Sequence, residues 1–224
     1  MSFLRQEYQN SCKGRGDCLP TLEAGPVRLR WLTDADVPAL LGIFGDPEVT
    51  RYWGFPVLRD LAAANALLQD IQRGFRGQTL FQWGVEPRGG PLVGTCTLSQ
   101  IDLTNRRAEL GFALGRAFWG RGYMSAALPA VIEFAFGQLQ LHRVFADVDP
   151  RNARGMRTLE RLGFRREGLL REHYLVQSEP QHAIVYGLLQ SEWASDPNLG
   201  APSNGSPAAP LNNSEVAEQP PAVS

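Results

Sequence analysis

Cysteine is scarce in this 224-residue chain: Cys12, Cys18 and Cys96 are all it has, and no CxxC pair is among them. An odd count without paired spacing fits a reducing compartment better than a disulfide framework. Cys12 and Cys18 lack a neighbouring second Cys or His pair to complete a tetrahedral site, so no bound metal is expected. Long hydrophobic runs are missing too. The longest, around Ala126 to Phe136, is broken by Pro129 and Glu133 and is far short of the ~20 residues that cross a bilayer. No membrane role is expected. The first residues, Met1 to Pro20, mix Arg5, Glu7, Lys13, Arg15 and Asp17 without an apolar core, unlike a secretory signal. The expected location is cytoplasmic. Neither sign of charge is in excess, with 22 Lys plus Arg against 23 Asp plus Glu, so no overall field recommends nucleic acid as a partner.

What is present is one good core's worth of chain, at ~150 residues per domain. Residues 1–25 show no periodicity and read as a poorly structured N-terminal extension, and residues 26–194 read as the domain. Residues 195–224 are Pro, Asn, Ser, Ala and Gly with almost no large apolar side chain, which cannot offset the entropy of ordering, and read as a disordered tail. Within the domain, a strand at Val27 to Trp31 precedes Thr33-Asp34-Ala35-Asp36, a helix-start box, and a helix to about Phe44. Leu61, Ala64, Leu68 and Ile71 predict a second helix to Arg73. Runs at Thr79 to Glu86, Leu92 to Ile101 and Arg107 to Leu114 predict an antiparallel meander. A helix over about Gly122 to Leu139, a strand at Arg143 to Val148, a short helix at Ala153 to Leu162 and two strands near Phe164 to Val176 and Ala183 to Leu189 follow. The fold class expected is α/β (α+β), a mixed, mostly antiparallel central sheet flanked by helices.

The sharpest local signal is Gly115-Arg116-Ala117-Phe118-Trp119-Gly120-Arg121-Gly122-Tyr123-Met124, a glycine loop that leaves a strand and opens an amphipathic helix. Glycines let a backbone approach a ligand and expose successive N–H donors, and a helix N-terminus adds a partial positive charge, so the loop suits a phosphate. An ordinary glycine-rich turn is the bland alternative. No Lys-Ser or Lys-Thr follows the glycines and no GxGxxG follows the first strand, so a pyrophosphate other than that of ATP or NAD fits better.

In order along the chain stand Val27-Arg28-Leu29-Arg30, Asp46-Pro47-Glu48-Val49, Val93-Gly94-Thr95, Ala108-Glu109-Leu110-Gly111-Phe112, Trp119-Gly120-Arg121-Gly122-Tyr123, Asp149-Pro150-Arg151-Asn152, Leu159-Glu160-Arg161-Leu162-Gly163-Phe164 and Glu167-Gly168. This ordered set, from about Val27 to Trp193, resembles the GNAT superfamily of N-acetyltransferases, in the branch similar to the RimJ/RimL ribosomal-protein enzymes. The resemblance implies the GNAT-type fold and acetyl-CoA as co-substrate. It implies a splayed strand ending in Phe112, Ala113 and Leu114 that holds the pantetheine arm by its backbone. Trp119, Gly120, Arg121, Gly122, Tyr123 and Met124 cradle the CoA pyrophosphate by their amides, and Asn152 holds the arm from the other side. Asn152 is equally a helix N-cap by residue type, and the two roles are compatible.

Glu109 is the candidate general base, taking a proton from an ammonium directly or through water. Period-two alternation puts it on one face with Gly111 and Ala113, leaving Leu110, Phe112 and Leu114 for the core. The rival reading is a solvated residue or a partner for Arg106 or Arg107. Direct attack by an amine needs no covalent cysteine, so Cys96 reads as a buried apolar residue, and His142 reads as a boundary residue at a strand start. Arg154, Arg157 and Arg161 are candidates for CoA phosphates or simply a solvated helix face.

The sequence departs from the family in places. Ala117 stands where relatives carry Gln or Arg, and Arg116 is a candidate replacement. Gly155 stands where many have a Ser proposed to protonate the departing thiolate, which leaves Tyr174 or His173 as substitutes or a thiolate that departs unassisted. His182 replaces a common Asp four before Tyr186. Pro129 inside a helix is expected to kink it or shift its start. The implied function is acetyl transfer to a primary amine: a protein N-terminus, a polyamine, an amino sugar or an aminoglycoside. The alternatives are a catalytically inactive acyl-CoA-binding module and, less favoured by charge, an adaptor for nucleic acid or protein. A monomer or homodimer is expected.

Overall fold

The computed structural model describes residues 18–176 and 179–195. The predicted tail, apart from Ser195, lies outside them. Eight strands form one sheet in the order β1-β2-β3-β4-β5-β6-β8-β7. They are β1 (Leu22–Ala24), β2 (Val27–Arg30), β3 (Phe81–Pro87), β4 (Gly94–Asp102), β5 (Arg107–Leu114), β6 (Arg143–Val148), β7 (Arg165–Val176) and β8 (Glu179–Leu189). All neighbours are antiparallel except β5 and β6. Helices α1 (Val37–Phe44), α2 (Pro47–Thr50), α3 (Leu61–Arg76), α4 (Tyr123–Glu133), α5 (Ala153–Arg161) and α6 (Gln190–Ser195) flank it. The expected mixed, mostly antiparallel sheet with flanking helices is therefore observed.

Strand alternation sorts the apolar residues onto two faces. On one, Leu29, Trp83, Leu98, Leu110 and Val144 pack with Leu128, Val131 and Ile132 of α4. On the other, Ala113 packs with Leu40, Phe44, Leu68 and Ile71 from α1 and α3. Asp60 starts α3, its carboxylate accepting from Ala63 N at 2.8 Å. Ala64, Leu68 and Ile71 are buried as their spacing predicts, but Leu61, in the first turn, is 53% exposed.

Two expectations need correction. Residues 18–25 are not an extension outside the domain: Leu19 is buried, Trp83 Nε1 donates to Pro20 O at 2.9 Å, and β1 pairs with β2. Three residues of β1 are too few to show a period, which is why the pattern was silent. Of the two effects expected of Pro129, the shifted start is not seen: α4 begins at Tyr123, directly after the glycine loop, and keeps the proline in its interior. The helix instead passes into a π-type turn at Phe134–Gln138.

The start of α1 is fixed by charge. Asp36 closes the predicted box by accepting from Thr33 N at 2.8 Å and also takes two 2.8 Å bonds from Arg30. Arg30 bonds Glu86 as well, which Arg28 holds at 2.9 Å. Asp36 and Glu86 are both buried. Burial alone would raise their pKa values, but the hydrogen bonds, chiefly from Arg30, outweigh it and hold both below the ordinary range. Removing Arg30 leaves two buried carboxylates short of their main partner. Arg30→Ala is expected to cost about 3 kcal/mol in urea unfolding. Both folded pKa values are depressed, so the unfolded chain takes up protons first. The contribution is complete above the ordinary carboxylate pKa of about 4 and is lost as pH falls through the folded values. Urea midpoints across that window should fall less steeply in Arg30→Ala than in the parent chain.

Candidate active site

The sheet opens at one place. β5 and β6 pair only at Arg107, Ala108 and Glu109, opposite Arg143, Val144 and Phe145. Beyond that point they separate, and a cavity of about 850 Å³ fills the wedge. Leu110, Gly111 and Phe112 line one side and Ala146, Asp147 and Val148 the other. On this side the main chain of β5 beyond Glu109 has no strand to pair with, so its polar groups are left for a ligand or water.

Glu109 sits at the vertex. Ser99 Oγ donates to its Oε2 at 3.1 Å and Gln100 Nε2 at 2.7 Å. Gln100 reaches it from a register shift in β4, in a left-handed conformation with φ 48°. Arg107, one of the candidate partners of Glu109, instead pairs with Asp102 at 3.5 Å. Burial first, then the adjacent charge of Asp147, raises the Glu109 pKa above the ordinary carboxylate range, against the pull of Ser99 and Gln100. A carboxylate so tuned is a better proton acceptor near neutral pH than an exposed one.

Asp147 had not been singled out. It is the polar residue among the buried Val144, Ala146 and Val148 of β6, a detectable signal, but only the parallel register puts it on the face of Glu109. Tyr174 Oη donates to Asp147 Oδ2, and His173 Nε2 lies 3.7 Å from the same oxygen. Burial, followed by the Asp147 hydrogen bond, pushes the Tyr174 hydroxyl upward, so it keeps its proton. Tyr174 lines the cavity, whereas His173 does not.

His182 has a clear task. β7 carries extra residues between Leu170 and Tyr174 relative to β8, and Glu172 in this bulge has φ 53°. Glu172 N donates to His182 Nδ1 at 2.9 Å, so the histidine satisfies the amide that the bulge takes out of the ladder.

The glycine loop leaves β5 as predicted. Gly120 and Gly122 have φ 76° and 77°, left-handed values that a side chain disfavours, and the next residue opens α4. Trp119 Nε1 donates to Leu114 O at 2.7 Å, and the Arg154 guanidinium of α5 lies over the Trp119 ring at 4.7 Å. Arg116 pairs with Asp46 at 2.9 Å, so it is already engaged and does not stand in for the side chain absent at Ala117. The Met124 side chain is in the core, leaving its amide as the group the loop can present. Asn152 Oδ1 caps α5 through Gly155 N at 2.9 Å, and the same residue lines the cavity. A Cβ at Gly155 would come within 2.7 Å of Asn152 Nδ2, so a serine there requires this amide to move.

Among the predicted residues, Glu109, Phe112, Asn152 and Tyr174 meet at the cavity. Ala113 does not: it is buried against α1 and α3. Cys96 is fully buried beside Met124, at 3.8 Å between sulfurs, and burial pushes its thiol upward, away from a nucleophile's range. His142 is exposed at the start of β6, where its carbonyl accepts from Gln190 N at 3.0 Å.

A family model described as an acetyltransferase (GNAT) domain matches residues 27–165. The chain belongs to the GNAT acetyltransferases. This GNAT chain is 32% identical over 177 residues to Uncharacterized N-acetyltransferase p20 of Bacillus licheniformis, covering 79% of this chain and 99% of that one. It is 28% identical over 115 residues to the [Ribosomal protein uS5]-alanine N-acetyltransferase of Escherichia coli (strain K12), covering 50% and 59%. Mycobacterium smegmatis RimJ, solved in complex with CoA-disulfide, shares its fold with a TM-score of 0.70 and 22% identity, over 79% and 88% of the two chains. As a GNAT protein, the chain is an acetyl-CoA-dependent N-acetyltransferase.

The Glu109–Asp147 proximity is measurable. Removing the negative charge favours the ionised form of its neighbour, so Asp147→Asn is expected to lower the Glu109 midpoint. Carboxyl-carbon NMR titration checks this, and an unchanged midpoint refutes the coupling.

Proposed function

We propose that the wedge between β5 and β6 seats acetyl-CoA and that the chain transfers its acetyl group to a primary amine by direct attack within a ternary complex. The observation that carries this is the juxtaposition, in one cavity, of an unpaired β5 edge, a pKa-raised carboxylate at Glu109 and a proton-holding hydroxyl at Tyr174. The residues present fit the co-substrate. Phe112 lines the gap beyond Glu109, the stretch from Trp119 to Met124 runs into the start of α4, where amides can hold a pyrophosphate, and Asn152 bounds the arm at the start of α5. Acetyl-CoA supplies an activated acyl thioester, so positioning and proton handling are what remain for the protein.

In this reading Glu109 takes the proton from the incoming ammonium, and Tyr174 supplies one toward the departing sulfur in place of the serine absent at Gly155. In the free chain the Tyr174 Oη–H donates to Asp147, so in this step it turns from that carboxylate to the sulfur. The RimJ-like relatives support a protein N-terminus as one acceptor class, alongside small-molecule amines. The absence of a helix among the described residues long and apolar enough to cross a membrane is compatible with the cytoplasmic location we infer. One chain supplies every residue named, so a monomer or a homodimer serves equally.

A catalytically inactive acyl-CoA-binding module is the second reading, favoured by the glycine at position 155. Calorimetry with CoA and release of free thiol in an amine panel separate the two. Glu109→Gln should slow thiol release about a hundredfold or more while leaving the CoA dissociation constant close to that of the parent. Gly120→Val should weaken CoA binding itself, because a branched side chain resists φ 76°. Binding without release on any amine supports the module instead.

A further inference from the structure

Three features of the acceptor end narrow the amine. The first is Gln82, which is 6% exposed and lines the cavity, yet its carboxamide has no hydrogen-bond partner among the described residues. The carboxamide is not sealed in, since the buried side-chain polar atom left unpaired among the described residues is Thr95 Oγ1, so Gln82 presents both a donor and an acceptor to whatever enters the cavity. It belongs to the cross-strand row Gln82, Thr97, Gly111, next to the row Ser99, Glu109, and shares their face of the sheet.

The second is an apolar wall opposite. Trp53 and Phe55 meet edge to face at 4.8 Å, and Phe44 approaches Trp53 at 5.4 Å. Leu67 and Leu80 extend this wall along the cavity. Phe55 remains 40% exposed, which leaves a ring face for a ligand to cover.

The third is where the negative charge lies. Four carboxylates line the cavity, from Glu109, Asp147, Asp149 and Glu179. Asp149 is committed to Arg151, which bonds both its oxygens, at 2.9 and 2.6 Å, and Glu179 acts on the same guanidinium. Only the Glu109–Asp147 pair is without an arginine, so the cavity holds a place for one ammonium and not for a chain of them.

We propose that the acceptor is an α-amino amide with a bulky apolar side arm: the ammonium lies between Glu109 and Asp147, the arm on the Trp53–Phe55 wall, and the amide at Gln82. This rests on the amine-transfer reading above and goes beyond it by assigning Gln82 and Phe55 to specificity. Thiol release is measured with phenylalaninamide, phenethylamine, alaninamide and spermidine. Phenylalaninamide should exceed each of the other three in kcat/KM by roughly tenfold. In Gln82→Leu the advantage over phenethylamine should fall by about tenfold, with phenethylamine itself little changed. In Phe55→Ala, at an exposed position outside the two core clusters, the advantage over alaninamide should shrink.

Equal or better turnover of spermidine or alaninamide overturns the proposal while leaving acetyl transfer intact, as does a Gln82→Leu variant that lowers all amines alike. Failure of every amine to release thiol overturns both readings together. A Phe-Ala-Ala peptide separates the two sources of this chemistry: faster turnover than phenylalaninamide assigns a peptide N-terminus, and slower turnover a free amino amide.

Discussion

Two parallel strands that pair over three residues and then part company govern the rest of this molecule. A parallel ladder normally continues until a strand ends, because each main-chain N–H and C=O left behind in a protein interior needs another partner. Here β6 turns away at Asp149-Pro150 into the cap of α5, while β5 continues to Leu114 and into the glycine loop. The separation creates a slot with backbone hydrogen-bonding groups on one wall and helix starts at its ends. A linear, amide-bearing ligand can complete the interrupted sheet in that slot, which is the physical reason an acyl-carrying arm suits this fold.

The slot alone would bind without reacting. In the reaction we propose, the chemistry depends on a carboxylate at the vertex, where the strands are still held together, and on side chains brought there from other strands. Glu109 is fixed by Ser99 and by Gln100, which an irregularity in β4 turns inward. Tyr174 arrives from the opposite side through a second irregularity, the bulge whose freed amide His182 accepts. Two local departures from regular pairing thus bring Glu109 and Tyr174 to one cavity, together with Asp147. Such irregularities cost ladder hydrogen bonds, and in each the loss is matched by a side-chain contact that orients the site.

Most of this architecture was readable in the sequence. Arg107 to Leu114 and Arg143 to Val148 were bounded as observed, because each alternates cleanly between turn signals. The glycine loop and Glu109 were legible for local reasons, namely residue type, spacing and the face of one strand. What stayed hidden depends on pairing between distant segments. Asp147 matters through the β5–β6 register, Gln82 through the row it shares with Thr97 and Gly111, and His182 through a bulge in a different strand. The first strand was missed because three residues carry too little pattern, and Leu19 because a single buried leucine has no period. Ala113 was assigned to the right face but not to its burial, since helices far away in sequence cover that end of β5.

β7 also forms the outer border of the sheet, and it is a long border, running from Arg165 to Val176 with Leu169, Leu170 and Leu175 exposed along it. Flat, apolar borders of this kind recruit further strands and seed fibrous assembly. The bulge around Glu172 interrupts the regular rhythm that an incoming strand would have to match. The same distortion that brings a tyrosine to the cavity therefore also makes that border a poorer template for another strand.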